Sequence, residues 1–94
     1  MERCEACFSG RVQGVGFRYT ACRIAAGLNV TGWVRNLPDG RVQMVAEGPP
    51  GELDRLLAGL REEMGSRIRE VHERRVPATG EFGGFGIRYS AGAG

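Results

Sequence analysis

An α+β sandwich, in which two helices cover an antiparallel sheet, is the architecture this sequence predicts. Three observations carry the prediction. Stretches of alternating apolar and polar residues, the period of a half-buried strand, occur near both ends and in the middle. Two stretches with apolar residues at helical spacing lie between them. Gly- and Pro-rich turn signals mark the joints.

Residues 3–10 alternate, with Cys4, Ala6 and Phe8 on one face and Glu5, Cys7 and Ser9 on the other, which predicts a half-buried strand. The stretch Gly10-Arg11-Val12-Gln13-Gly14-Val15-Gly16-Phe17-Arg18 follows and leads into a segment with Ala21, Ile24, Ala25 and Leu28 at helical spacing. Gly27 is a natural stop, so the first helix should run for about 10–12 residues from Phe17. Val30 to Arg35 favours a strand through Val30, Thr31, Trp33 and Val34. Arg41 to Glu47 alternates again, setting Val42, Met44 and Ala46 against Arg41, Gln43 and Glu47. Asn36-Leu37-Pro38-Asp39-Gly40 between them is a strong turn, so the two strands form a hairpin.

Pro49-Pro50 introduces the second helix, where Pro50 is tolerated in the first turn. Its stripe of Leu53, Leu56, Leu57, Leu60 and Met64 is the cleanest in the chain and reads as core, and Gly65 ends it. Ile68 to Val76 reads as an edge strand, Phe85, Ile87 and Tyr89 as a last strand, and Ala91 to Gly94 as a short tail. The order strand, helix, strand, strand, helix, strand, with an extra short strand, is that of a ferredoxin-like split β-α-β unit forming one domain over about residues 3–90.

That connectivity has a functional consequence. If the first two strands are parallel, they end at the same edge of the sheet. The glycine-rich loop leaves the first strand there, and Asn36 ends the second, so the two most polar loops should meet. Glycines let the loop adopt positive φ and bring its backbone close to a ligand, so several N–H groups can converge on an anion beside a helix start. Arg18 adds a permanent, fork-shaped cation suited to phosphate.

Composition sets the limits. The 94 residues are 41% hydrophobic and 26% charged, as expected for a small globular domain. No apolar run approaches the ~20 residues of a spanning helix, and Met1-Glu2-Arg3 does not begin a signal peptide, so a cytoplasmic protein without membrane contact is expected. A net charge of +2 does not by itself imply nucleic acid. All 13 basic residues are arginine, which excludes a Walker A loop because that motif requires lysine. A dinucleotide fingerprint fails because Tyr19 stands where the third glycine is needed.

Cys4 and Cys7 have CxxC spacing, but on a strand they point to opposite faces and cannot share a metal. With Cys22 the count is odd, and Cys22 reads as a packing residue. The only histidine, His72, lies in a charged stretch, and Asp39 sits in a Pro-Asp-Gly turn. No Asp/Glu/His cluster suggests a metal. Backbone amides, an arginine and an asparagine amide remain. That set suffices for a phosphate compound with a good leaving group, because phosphoryl transfer depends mainly on positioning and electrostatics. An acyl phosphate releases a carboxylate whose conjugate acid has a pKa of about 4–5, so no general acid is needed.

At these residues the sequence resembles the acylphosphatase family. The resemblance rests on Gly10 to Arg18, on Gly32-Trp33-Val34-Arg35-Asn36 with Asp39-Gly40, and on Gly84-Phe85-Gly86-Ile87-Arg88-Tyr89. It implies hydrolysis of the carboxyl–phosphate bond of acyl phosphates, without cofactor, metal or covalent phospho-enzyme. It further implies that Arg18 binds the phosphate, that Asn36 orients the attacking water, and that the amides of Gln13, Gly14, Val15, Gly16 and Phe17 complete the cradle. Inorganic phosphate should then be both product and competitive inhibitor, and a monomer is expected. Gln43 departs from the family's usual acidic residue, and Ile68 to Gly83 matches loosely.

RNA-recognition domains share the topology, and Gly84-Phe85-Gly86-Ile87 is similar to part of their RNP1 motif. That motif belongs on the strand before the second helix, where Arg41 to Ala46 offers no aromatic side chain to stack a base, so no nucleic-acid partner is expected. Acylphosphatase-like domains also occur in hydrogenase maturation proteins, but with 94 residues a free-standing domain is the expectation here.

Overall fold

Period-two burial along the first strand sets the layering. In the computed structural model, which describes residues 1–89, Cys4, Ala6 and Phe8 of β1 (Glu2–Gly10) are buried on one face of a five-stranded sheet. The tail predicted over Ala91 to Gly94 lies outside the described residues. Two helices supply the other half of the core: α1 (Phe17–Ala26) buries Phe17, Ala21 and Ala25, and α2 (Pro50–Met64) buries all five residues of its predicted stripe. Pro49 and Pro50 open α2 in the one place where a missing N–H is harmless. Glu52 in its first turn accepts a hydrogen bond of 3.0 Å from the Asn29 N–H, which ties the helix start to the segment before β2.

The remaining strands are β2 (Thr31–Asn36), β3 (Val42–Gly48), β4 (Ile68–Pro77) and β5 (Phe85–Ile87). A short 3₁₀ turn at Gly65–Arg67 separates α2 from β4. The strand order is β4-β1-β3-β2-β5. β1 and β2 each pair antiparallel with β3 and so run parallel to one another, as the connectivity argument requires.

Two features differ from the sequence expectation. The sheet is mixed rather than purely antiparallel, because β5 joins the edge of β2 in parallel, with Gly32, Trp33 and Val34 opposite Phe85, Gly86 and Ile87. β5 is also shorter than the alternation suggested and stops before Tyr89. The second difference is Glu47, expected on the open face of the hairpin but only 3% exposed. Its carboxylate accepts hydrogen bonds from the Thr79 N–H (3.0 Å), the Thr79 hydroxyl (2.8 Å) and the Gly80 N–H (2.9 Å). The segment between β4 and β5 is thereby fastened over the sheet face opposite the helices. Arg3 strengthens the fastening through Glu81 at 3.0 Å and a cation–π contact with Phe82 at 5.3 Å.

Candidate active site

Strand register brings the two loops together. Val42 of β3 lies opposite Phe8 of β1 on one side and Asn36 of β2 on the other. Phe8 and Asn36 are therefore two strand spacings apart, roughly 10 Å. From Phe8 the chain leaves the sheet within two residues, and four contacts fix the loop that follows. The Arg11 N–H donates to the Arg67 carbonyl at 2.8 Å. Val12 is buried in the core. The Gln13 side chain donates from Nε2 to the carbonyls of Leu37 (2.7 Å) and Arg41 (2.9 Å), stitching the loop to the hairpin turn. Finally, the Phe17 ring meets that of Phe8 in a tilted contact with centroids 4.8 Å apart, anchoring the start of α1 to the end of β1.

Held this way, the loop bounds a cavity of about 160 Å³ lined by Val12, Gly14, Gly16, Phe17, Arg18, Tyr19 and Asn36. Gly14 and Gly16 have φ of 73° and 79°, a region that side-chain-bearing residues enter at a cost. Gly16 is the N-cap of α1 and offers no side chain to cap it. The first helical hydrogen bond runs from Thr20 N–H to the Gly16 carbonyl at 2.9 Å. The N–H groups of Phe17, Arg18 and Tyr19 precede it and have no acceptor within the helix. Unpaired amides at a helix start, beside a glycine loop, make an anion-accepting surface.

Arg18 is half-buried at this cavity and, among the described residues, forms no ion pair with a carboxylate. Its guanidinium carbon lies 5.5 Å from the centre of the Tyr89 ring. Asn36 presents a second unsatisfied group. Its Oδ1 is buried without a hydrogen-bond partner, a condition shared among the described residues only by Arg3 Nε. Arg3 Nε has the Glu5 and Glu47 carboxylates at 3.6 Å, whereas Asn36 faces the cavity. A buried acceptor left unpaired costs about 1–3 kcal/mol, so Oδ1 has an unused capacity to accept a hydrogen bond.

The other residues singled out in the sequence fall as follows. Gly14, Gly16, Phe17, Arg18 and Asn36 line the cavity, while Gln13 and Val15 do not. Asp39 serves the turn: it accepts from the Arg41 N–H at 3.1 Å and pairs with the Arg41 guanidinium at 2.8 Å, and these contacts hold its carboxyl below the usual carboxylate range. His72 is exposed on edge strand β4, opposite Cys7 in register. Cys4 is buried and donates to Glu73 at 3.3 Å, and the three cysteines are unpaired. No group of three or more His, Cys, Asp and Glu among the described residues is arranged to hold a metal ion. Sequence reasoning missed the stitch made by the Gln13 side chain and the tyrosines at the rim. Tyr19 was legible in principle, since it follows Arg18 in the first turn of α1. Tyr89 was not, because its neighbourhood depends on the parallel pairing of β5.

Fold and site together define a small ferredoxin-like α+β domain with a glycine loop and helix start, beside an arginine without a carboxylate partner and an unpaired amide oxygen among the described residues. The sequence profile of the acylphosphatase family matches residues 4–87. An acylphosphatase of Methylococcus capsulatus is 47% identical over 88 residues, spanning 93% of this chain and 96% of that protein. The crystal structure of acylphosphatase from Bacillus subtilis superposes with a TM-score of 0.88 at 32% identity, covering 95% of this chain and all of that one. The crystal structure of T. kodakarensis HypF contains a similar unit, with a TM-score of 0.81 at 29% identity over 96% of this chain and 12% of that one. The chain belongs to the acylphosphatase family, and it is an enzyme that hydrolyses acyl phosphates to carboxylate and phosphate. No helix among the described residues is long and apolar enough to cross a membrane.

Proposed function

We propose that the acyl phosphate is hydrolysed in the cavity between the glycine loop and Asn36, by direct attack of water and without a metal ion. The phosphate sits against the amides of the loop and of the first turn of α1, and Arg18 bridges two of its oxygens. A water donates one hydrogen bond to Asn36 Oδ1 and is thereby held for in-line attack. Its oxygen forms the new bond to phosphorus while the bond from phosphorus to the acyl oxygen breaks. The electron pair leaves on the carboxylate, and the proton of the water passes to the product phosphate. The carboxylate is a weak enough base to depart unprotonated, which is why the cavity needs no general acid. The observation that carries the reading is the orphaned Asn36 Oδ1 in the same cavity as Arg18.

All the groups invoked come from one chain, and we propose that the active enzyme is a monomer. Steady-state kinetics with benzoyl phosphate, before and after exhaustive chelation, provide the test. Activity should survive chelation, and inorganic phosphate should inhibit competitively. Loss of activity restored by Mg²⁺ contradicts the metal-free route, and purely noncompetitive inhibition contradicts the cradle.

A further inference from the structure

Tyr19 and Tyr89 are the two exposed aromatic side chains nearest the cavity, at 69% and 67% exposure. Among the described residues the third large apolar side chain as exposed is Met1, which precedes β1 at the end of that strand away from the glycine loop. Two elements far apart in sequence deliver the tyrosines to one place. Tyr19 follows Arg18 in the first turn of α1 and lines the cavity. Tyr89 follows β5, whose parallel register sets Ile87 opposite Val34 and is continued by a 2.9 Å hydrogen bond from the Arg88 N–H to the Val34 carbonyl. Continuing that register brings Tyr89 level with Asn36. Strand alternation puts its side chain on the side of Phe85 and Ile87, which pack against the helices, and its ring lies over Arg18.

We propose that these two rings form an acyl-group subsite that favours aromatic and other flat acyl groups over small aliphatic ones. The proposal rests on the phosphate being held by the loop and Arg18, as above. A cavity of about 160 Å³ that takes the phosphate leaves the acyl group projecting past its mouth, where Tyr19 lines the wall and the Tyr89 ring lies over Arg18. Rings with two side-chain torsions offer large contact area at small entropic cost, and a flat acyl group can stack on them. An acetyl group reaches neither ring with comparable area.

The test measures kcat/KM for benzoyl phosphate and for acetyl phosphate in the wild-type enzyme, Tyr19→Ala, Tyr89→Ala and the two Phe variants. The ratio between substrates is the readout, because any general effect on Arg18 or on the fold acts on both and cancels. Each Ala variant should lower the benzoyl-to-acetyl ratio by about 3–10-fold, the scale of one aromatic contact, while Tyr19→Phe and Tyr89→Phe keep the wild-type ratio. Equal losses for both substrates, or no change in ratio, overturn the subsite. Failure of the cradle has a different signature: Arg18→Ala would then retain its turnover whatever the tyrosine variants do.

Discussion

In the mechanism we propose, Arg18 and Asn36 divide the chemistry because their side chains offer opposite things. A guanidinium is all donor and permanent charge, so it meets phosphate oxygens in the ground state as well as in the transition state. Arg18→Ala should therefore weaken phosphate binding and cut turnover by ~10²-fold or more, on the scale of losing one preorganised donor. Arg18→Lys should recover only part of this, since a point charge cannot span two oxygens; full activity in the Lys variant would remove the fork from the account. Cys4 shows the opposite use of a polar side chain. Burial, then its hydrogen bond to Glu73, push its thiol pKa up to about 12. At pH 8 it should be protonated and sealed, so iodoacetamide should modify it only after unfolding. Modification of native Cys4 at the rate seen in denaturant would show that β1 opens far more readily than its packing implies.

At the scale of elements, legibility followed burial. β1 and α2 were readable because each buries one face, so their periodicity survives in the sequence. Glu47 was not: its position alternates correctly, but what buries it is a trio of donors on Thr79 and Gly80, more than 30 residues away, in a segment with no periodicity of its own. The parallel attachment of β5 was hidden for a similar reason, since three residues carry no record of strand direction. Glu47 also makes the segment before β5 pH-sensitive. Burial alone would raise its pKa, but the hydrogen bonds from Thr79 and Gly80, with Arg3 nearby, outweigh this and hold it below the ordinary 4.5. A depressed carboxylate contributes stability that is complete above its unfolded pKa and is lost as the pH falls through the folded value. Acid should therefore weaken the fastening below about pH 4.5. Glu47→Gln should lower stability at pH 7 by about 1–3 kcal/mol and flatten the acid limb of the stability profile. An unchanged denaturation midpoint at pH 7 and an unchanged acid limb would show that the fastening contributes nothing.

For the whole molecule, the topology itself creates the site. Parallel β1 and β2, separated by antiparallel β3, end side by side, so the loop and helix start that follow β1 meet Asn36 at the end of β2. This was foreseeable from the order of elements, which is why Arg18 and Asn36 could be paired in the sequence although 18 positions separate them. What could not be foreseen was that Asn36 Oδ1 would be left without a partner while the turn is held by other groups: Leu37 N–H to the Arg41 carbonyl at 2.8 Å, Gly40 N–H to the Leu37 carbonyl at 3.1 Å, and Asp39 on Arg41. The turn does not depend on the Asn36 side chain, so its role can be separated from folding. The most direct measurement is kcat, phosphate affinity and the unfolding midpoint of Asn36→Ala on the same samples. The account predicts a fall in kcat of ~10²-fold or more with phosphate affinity and midpoint nearly unchanged, because the amide acts on the water and not on the ground-state phosphate. A destabilised Asn36→Ala enzyme with wild-type kcat in its folded fraction would contradict it.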